Sequence, residues 1–241
     1  MASRGVSPLK IYRVLYDRFG PQGWWPVTRR GCGAPMYVKR VYSGRTEKEK
    51  FEICVGAILT QNTAWKNVEL AIANLCRAKS LAIKKIAGLH LEELKALIRP
   101  SGFYNQKAVR LKEFAGHILK KYGGRLDLFF GKPLADLRRE LLSLNGIGPE
   151  TADSIALYAA GKPAFVIDAY TLRIGRRVGW FGPKTGYNSA GDYLVSRLPE
   201  SLKIYNEFHA LIVAAGKEFC RNKPLCARCV LKRACDYGKR H

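Results

Sequence analysis

Apolar residues return at helical spacing along most of this 241-residue chain, while the two-residue alternation of half-buried strands is nearly absent. Leu9, Tyr12, Leu15, Tyr16 and Phe19 share one face of a helix over 9–19. Phe51, Ile53, Cys54, Val55, Ile58 and Leu59 make 47–60 apolar nearly all round, the pattern of a buried helix. The 3.6-residue period continues over 65–78, 91–98, 105–122, 134–144 and 150–160, and a further helix opens after Asp168. Two more are expected over 190–198 and 204–219. Gly102 and the pair Gly123-Gly124 act as stops. The spacing predicts an all-α fold without internal repeats.

Charge narrows the function classes. Lys and Arg number 42 against 19 Asp and Glu, a formal net charge of +23. An excess of this size calls for a polyanionic partner, most often nucleic acid. A hydrophobic content of 47% excludes intrinsic disorder. No uncharged apolar run approaches the roughly 20 residues needed to cross a bilayer, so no membrane partner is expected. Lys10, Arg13, Asp17 and Arg18 interrupt the first twenty residues, which excludes a secretory signal there. The expected location is therefore cytoplasmic and nucleoid-associated, where thiols stay reduced. Seven cysteines then need a reading other than disulfides. Cys32 stands apart, and Cys54 and Cys76 are expected as core packing. Cys220, Cys226, Cys229 and Cys235, spaced C-x5-C-x2-C-x5-C, indicate a metal site; spacing alone leaves zinc and an iron–sulfur cluster open.

Asn145-Gly146-Ile147-Gly148-Pro149 joins two helices in a tight turn. Its two glycines permit backbone conformations closed to other residues, Ile147 would plug the turn into the core, and outward N–H groups with the next helix's positive end suit a phosphate. Asp168 ends the apolar run Ala164-Phe165-Val166-Ile167 and is placed to cap the helix that follows.

The string L-N-G-I-G-P-E-T-A, followed by V-I-D-A-Y-T-L-R, resembles the helix–hairpin–helix (HhH-GPD) DNA glycosylases of the endonuclease III superfamily. Their pattern is a L-P-G-[VI]-G-x-x-T-A hairpin and a V-D-T-x-x-x-R segment. F-E-I-C-V-G-A-I-L-T-Q-N-T at 51–63 and the C-terminal cysteines extend the likeness over roughly residues 48–241. The W-W-P loop followed by F-E-x-x-x-G-A-x-L-T-Q-N-T is similar to the bacterial 3-methyladenine glycosylases of that superfamily.

The resemblance implies a fold of two helical lobes with the active site between them. Residues 49–162 would form a helical barrel ending in the hairpin, and 1–48 with 163–241 a second lobe holding the metal. Asp168 becomes the catalytic carboxylate, facing the hairpin. A fixed anion there stabilises the positive charge that builds on deoxyribose as an N-glycosidic bond breaks, or activates water. Asn145, Gly146, Ile147, Gly148, Glu150 and Thr151 become DNA-binding residues. Bifunctional members carry a lysine where this chain has Glu150, and a glutamate cannot form the imine that cuts the strand. The adenine-mismatch branch carries a glutamate where this chain has Gly56, an acid that a neutral adenine leaving group needs.

Trp24, Trp25, Pro26 and Phe51 would line the pocket for a flipped base, and a cationic methylated purine would gain cation–π attraction there. Gln61, with Asn62 beside it, would fill the gap that the flipped nucleotide leaves. The resemblance favours a [4Fe–4S] cluster over zinc on Cys220, Cys226, Cys229 and Cys235, although the first gap is one residue shorter than the family's C-x6-C-x2-C-x5-C. The expected protein is a monomeric, monofunctional glycosylase acting on damaged double-stranded DNA, with an abasic-site endonuclease acting next. Uracil or thymine mismatches, a strand-cutting activity and a non-catalytic DNA-binding role are the alternatives.

Overall fold

The computed structural model describes residues 6–29, 31 and 33–241; Arg30 and Cys32 lie outside the described residues. Thirteen α-helices follow one another among these residues: α1 (Pro8–Phe19), α2 (Glu47–Leu59), α3 (Trp65–Arg77), α4 (Ile83–Gly88), α5 (Leu91–Ile98), α6 (Tyr104–Tyr122) and α7 (Leu126–Phe130), then α8 (Leu134–Leu142), α9 (Pro149–Ser154), α10 (Ala169–Val178), α11 (Tyr187–Val195), α12 (Leu202–Glu218) and α13 (Asp236–Lys239). Extended pairing among the described residues is limited to one antiparallel bridge, Val27 with Met36. The fold is all-α, as the periodicity requires. The helices α4 and α7 lie where no helix was expected, because six and five residues are too few to display a period.

Two compact units divide the chain: Trp25–Lys162, and Met1–Trp24 together with Pro163–His241. Residues 25–48, expected with the terminal lobe, group instead with 49–162. Hydrogen bonds explain the shift. Arg45 Nη2 donates to the carbonyl of Trp25 at 2.9 Å, and Thr28 donates through both N and Oγ1 to Glu52 Oε1 at 2.7 and 2.8 Å.

In the 25–162 unit α2 is the central element. Thr46 and Glu49 form a reciprocal capping box at its start, and every residue from Phe51 to Leu59 is buried. The helices α3, α6 and α7 and a buried π-helical turn over Ile155–Ala159 pack against it. A helix wrapped on all sides has no room for a polar face, which is why its sequence lacks one. In the other unit α12 takes the same part, with α1 and α10 against it. No helix among the described residues is long and apolar enough to cross a membrane.

Cys54 is fully buried, as expected. Cys76 is not core packing: it is half-buried and disulfide-bonded. Its place near the C-terminal end of α3 turns the side chain off the apolar face that holds Val68, Ile72 and Leu75, which is how a thiol on an amphipathic helix escapes the core.

Gly116 lies in the middle of α6 with open space where a Cβ would project and an ordinary helical φ. Gly116→Ala is expected to stabilise the fold by about 0.5–1 kcal/mol, because alanine loses less backbone entropy in a helix. Urea unfolding of the two proteins measures the difference.

Candidate functional site

Asp168 caps α10. The buried run Ala164–Ile167 delivers it in extended backbone, and its Oδ1 accepts hydrogen bonds from Thr171 N at 2.7 Å and Thr171 Oγ1 at 2.8 Å. The second oxygen, Oδ2, stands 3.7 Å from Nε2 of His209 on α12. Only 9% of Asp168 remains exposed. Burial opposes its charge, but the His209 imidazole beside it and the two Thr171 donors outweigh it, so the carboxyl lies below the usual aspartate range. The result is an anion fixed in orientation and ionised at neutral pH.

His209 was not apparent from sequence. It is 4% exposed, and Trp24 meets it edge to face with ring centroids 5.4 Å apart. Two neighbours on α12 hold the loop that carries Trp24: Asn206 Nδ2 donates to the Trp24 carbonyl at 3.2 Å, and Gln22 N donates to Glu207 Oε2 at 2.8 Å. The signal available was a run of polar residues, Asn206, Glu207 and His209, inside an otherwise apolar helix.

The hairpin has the expected form. Gly146 adopts φ +73°, a conformation that glycine enters at no steric cost, and Ile147 N donates back to the Leu144 carbonyl at 3.1 Å. Ile147 is 5% exposed and plugs the turn into the core, while Asn145, Gly148 and Glu150 are exposed around it. Thr151, expected to meet DNA, is buried, and its hydroxyl accepts a hydrogen bond from Gln61 Nε2 at 2.9 Å.

That bond ties Gln61 to the hairpin. Its Nε2 also donates to the Gly146 carbonyl at 2.9 Å, and its Oε1 accepts from Arg110 Nη1 at 2.6 Å. Without DNA the Gln61 side chain is satisfied at both ends and supports the hairpin. The next residue, Asn62, is exposed and holds φ +53° on the turn after α2. It is the one of the pair presented outward.

The aromatic residues are dispersed. Trp24 is half-buried in the unit of the termini, whereas Trp25, Pro26 and Phe51 are buried in the 25–162 unit. Trp25 packs against Trp65 at 5.3 Å and Tyr158 at 5.2 Å between ring centroids. A Cβ built on Gly56 would come within 3.0 Å of Trp25 Nε1, so the glycine is what admits the indole.

Cys220, Cys226, Cys229 and Cys235 line a single small cavity together with Arg177, Phe219 and Tyr237. They surround it and do not converge on one point: among the described residues no three His, Cys, Asp or Glu side chains stand together as ligands of one ion. Donors already face the sulfurs, with Arg177 Nη1 3.1 Å from Cys220 Sγ and Gly238 N 3.4 Å from Cys235 Sγ. Four thiol donors around a cavity, backed by N–H groups and a guanidinium, fit a polynuclear iron–sulfur group carrying net negative charge. Arg173 and Arg177 of α10 bind this loop to the helix that Asp168 caps, through the carbonyls of Cys220, Arg221 and Asn222.

Known proteins share the sequence pattern and the fold. Residues 55–199 match the profile of the HhH-GPD superfamily base excision DNA repair proteins. A protein of Methanocaldococcus jannaschii, provisionally named as a DNA repair glycosylase, is 45% identical over 227 residues, 94% of each chain. Endonuclease III of Thermotoga maritima is 32% identical over 204 residues, covering 84% of this chain and 90% of that one. Among solved structures, the H. pylori 3-methyladenine DNA glycosylase bound to 1,N6-ethenoadenine is similar with a TM-score of 0.71 and 28% identity, over 88% of this chain and 98% of that one.

Proposed function

The chain belongs to the HhH-GPD superfamily of base excision DNA repair proteins and is a DNA repair glycosylase, and from that premise we propose that it hydrolyses the N-glycosidic bond of alkylated purines of the 3-methyladenine type without cutting the strand. The observation that carries this reading is Glu150, an exposed carboxylate at the start of α9 where strand-cutting members of the family carry a lysine. A carboxylate has no amine with which to form an imine, so water is the acceptor of the sugar and an abasic site is the product.

Asp168 performs the chemistry in this reading. As the base departs with the bonding electrons, positive charge develops over the ring oxygen and C1′ of the sugar. A carboxylate held by Thr171 stabilises that charge, or takes a proton from the attacking water. A methylated purine is already cationic and leaves as a neutral base, so the site needs no acid at Gly56. The H. pylori neighbour is named for the same substrate class. Trp24, beside His209, supplies a half-buried aromatic surface on which a cationic base gains cation–π attraction.

The hairpin's main chain at Asn145–Gly148 holds a backbone phosphate, and Asn62 enters the gap left by the flipped base. Cys220, Cys226, Cys229 and Cys235 would hold a [4Fe–4S] cluster, which when bound orders the basic C-terminal loop. That loop sits within 217–241, where eight Lys and Arg face two acids. The segment 24–50, with seven against two, adds to the same non-specific hold on DNA. The chain acts as a monomer, and an abasic-site endonuclease follows it.

A panel of duplexes bearing 3-methyladenine, 7-methylguanine, hypoxanthine, uracil or mismatched thymine tests the assignment. Release of the methylated purine is expected, with strand breaks only after alkali. Borohydride is expected to trap no covalent adduct. Breaks without alkali and a stoichiometric trapped adduct would show a lyase; release of uracil or thymine alone would move the substrate to mismatches.

A further inference from the structure

Helix α6 presents two cations from one face, Lys107 to the end of α2 and Arg110 to the hairpin. Lys107, 1% exposed, donates to the Leu59 carbonyl at 2.8 Å and to the Ser101 carbonyl at 2.7 Å, fixing the end of α2. Arg110, one turn on, holds Gln61 at 2.6 Å. The side chain of Arg110 also lies directly against Gly146: a Cβ there would fall 2.0 Å from Nε and 2.7 Å from Cζ. Only glycine allows a guanidinium to rest on the hairpin backbone in this way.

Neither cation is neutralised. Among the described residues Arg110 donates to Gln61 alone, and no ion pair with a carboxylate is formed by it. Burial, and then the charge of Arg110, pull the Lys107 ammonium down to about 8. The guanidinium is half-buried, so it keeps several of its five donors uncommitted beside a turn whose other donors are main-chain N–H groups. A planar, partly desolvated cation in such a place is suited to a phosphate oxygen.

We propose that Arg110 is a DNA-phosphate ligand of the hairpin and, through Gln61, the residue that ties phosphate capture to the turn bearing Asn62. The inference rests on the hairpin's role as phosphate anchor and adds to it a side chain and a link. A phosphate drawn onto Arg110 is connected by one glutamine to both the Gly146 carbonyl and the Thr151 hydroxyl, and Gln61 itself is the neighbour of Asn62 in the chain. Arg110 is thus a binding residue, and Gln61 a positioning residue for base eversion.

Binding to a duplex carrying a tetrahydrofuran abasic analogue, measured from about 50 to 200 mM salt, reads the contact. Arg110→Gln is expected to flatten the slope of log Kd against log salt by about 0.9, the value of one lost phosphate. Gln61→Ala should leave the slope intact and instead lower the fluorescence of 2-aminopurine at the flipped position. Replacing the phosphates near the lesion one at a time by methylphosphonate should reveal one position that weakens the wild-type protein and has no further effect on Arg110→Gln. Arg110→Lys, which keeps a cation, should retain both the slope and that sensitivity.

Equal binding by Arg110→Lys and Arg110→Gln would reduce Arg110 to a brace for Gln61 and overturn the proposal. A sensitive phosphate that affects wild type and Arg110→Gln alike would remove Arg110 while leaving the hairpin anchor in place. If no single phosphate matters to the wild type, both fall.

Discussion

Asp168→Asn is expected to lose base release by about 10²–10⁴-fold while its affinity for duplex DNA stays near wild type. Asparagine keeps the size of the side chain and an oxygen to accept from Thr171 N and Oγ1, so α10 remains capped and the fold intact. What disappears is the negative charge. Single-turnover release of a methylated purine gives the rate, and binding to an abasic-analogue duplex gives the affinity. Unchanged release would take Asp168 out of the mechanism.

The same carboxylate fixes the acid side of the pH profile. Its pKa lies below the usual aspartate value of about 3.9, so the ionised form persists through the mildly acidic range and its contribution falls away only as pH drops through the lowered value. The sign is the same for stability: the hydrogen bonds to the carboxylate stabilise the fold above the unfolded-state pKa and are lost below the folded one. His209→Ala removes the largest influence that opposes burial. The acid limb of the rate is then expected to move upward, with the plateau rate less affected than in Asp168→Asn. An unmoved limb would mean that His209 does not act on Asp168.

The second large effect is expected at the cysteine loop. Cys229→Ser should abolish a broad absorbance near 400 nm, lower the thermal midpoint of the unit formed by the termini, and weaken DNA binding. The loop is tied to α10 by Arg173 and Arg177, and Asp168 caps α10, so disorder of the loop also loosens the helix whose first turn holds that carboxylate. Iron and sulfide analysis of the freshly purified protein provides an independent readout. A colourless protein with one bound zinc and normal stability would contradict the cluster.

Long apolar periodicities proved reliable where tertiary packing rewards them: 47–60 became α2, fully buried from Phe51 onward, and 105–122 became α6. The turn at 145–149 was equally legible, since Gly146 takes a left-handed φ and Pro149 starts α9. The bonds of Gln61 were not legible because its partners, Gly146 and Thr151, lie 85 and 90 residues away, and no local pattern encodes such a bond. Arg110 and His209 went unnoticed for the same reason. Each is an ordinary helical residue until the fold sets it against a hairpin or an aspartate.

The contact between Gly56 and Trp25 bears on how activities in this family are reached from one another. A single exchange of Gly56 for an acid would drive its first side-chain carbon into the indole at 3.0 Å, within a site already filled by Trp65 and Tyr158. Acquiring that acid therefore requires the tryptophan to give way by a few tenths of an ångström. The two positions are sterically coupled: any side chain at 56 must be met by a shift of the Trp25 indole.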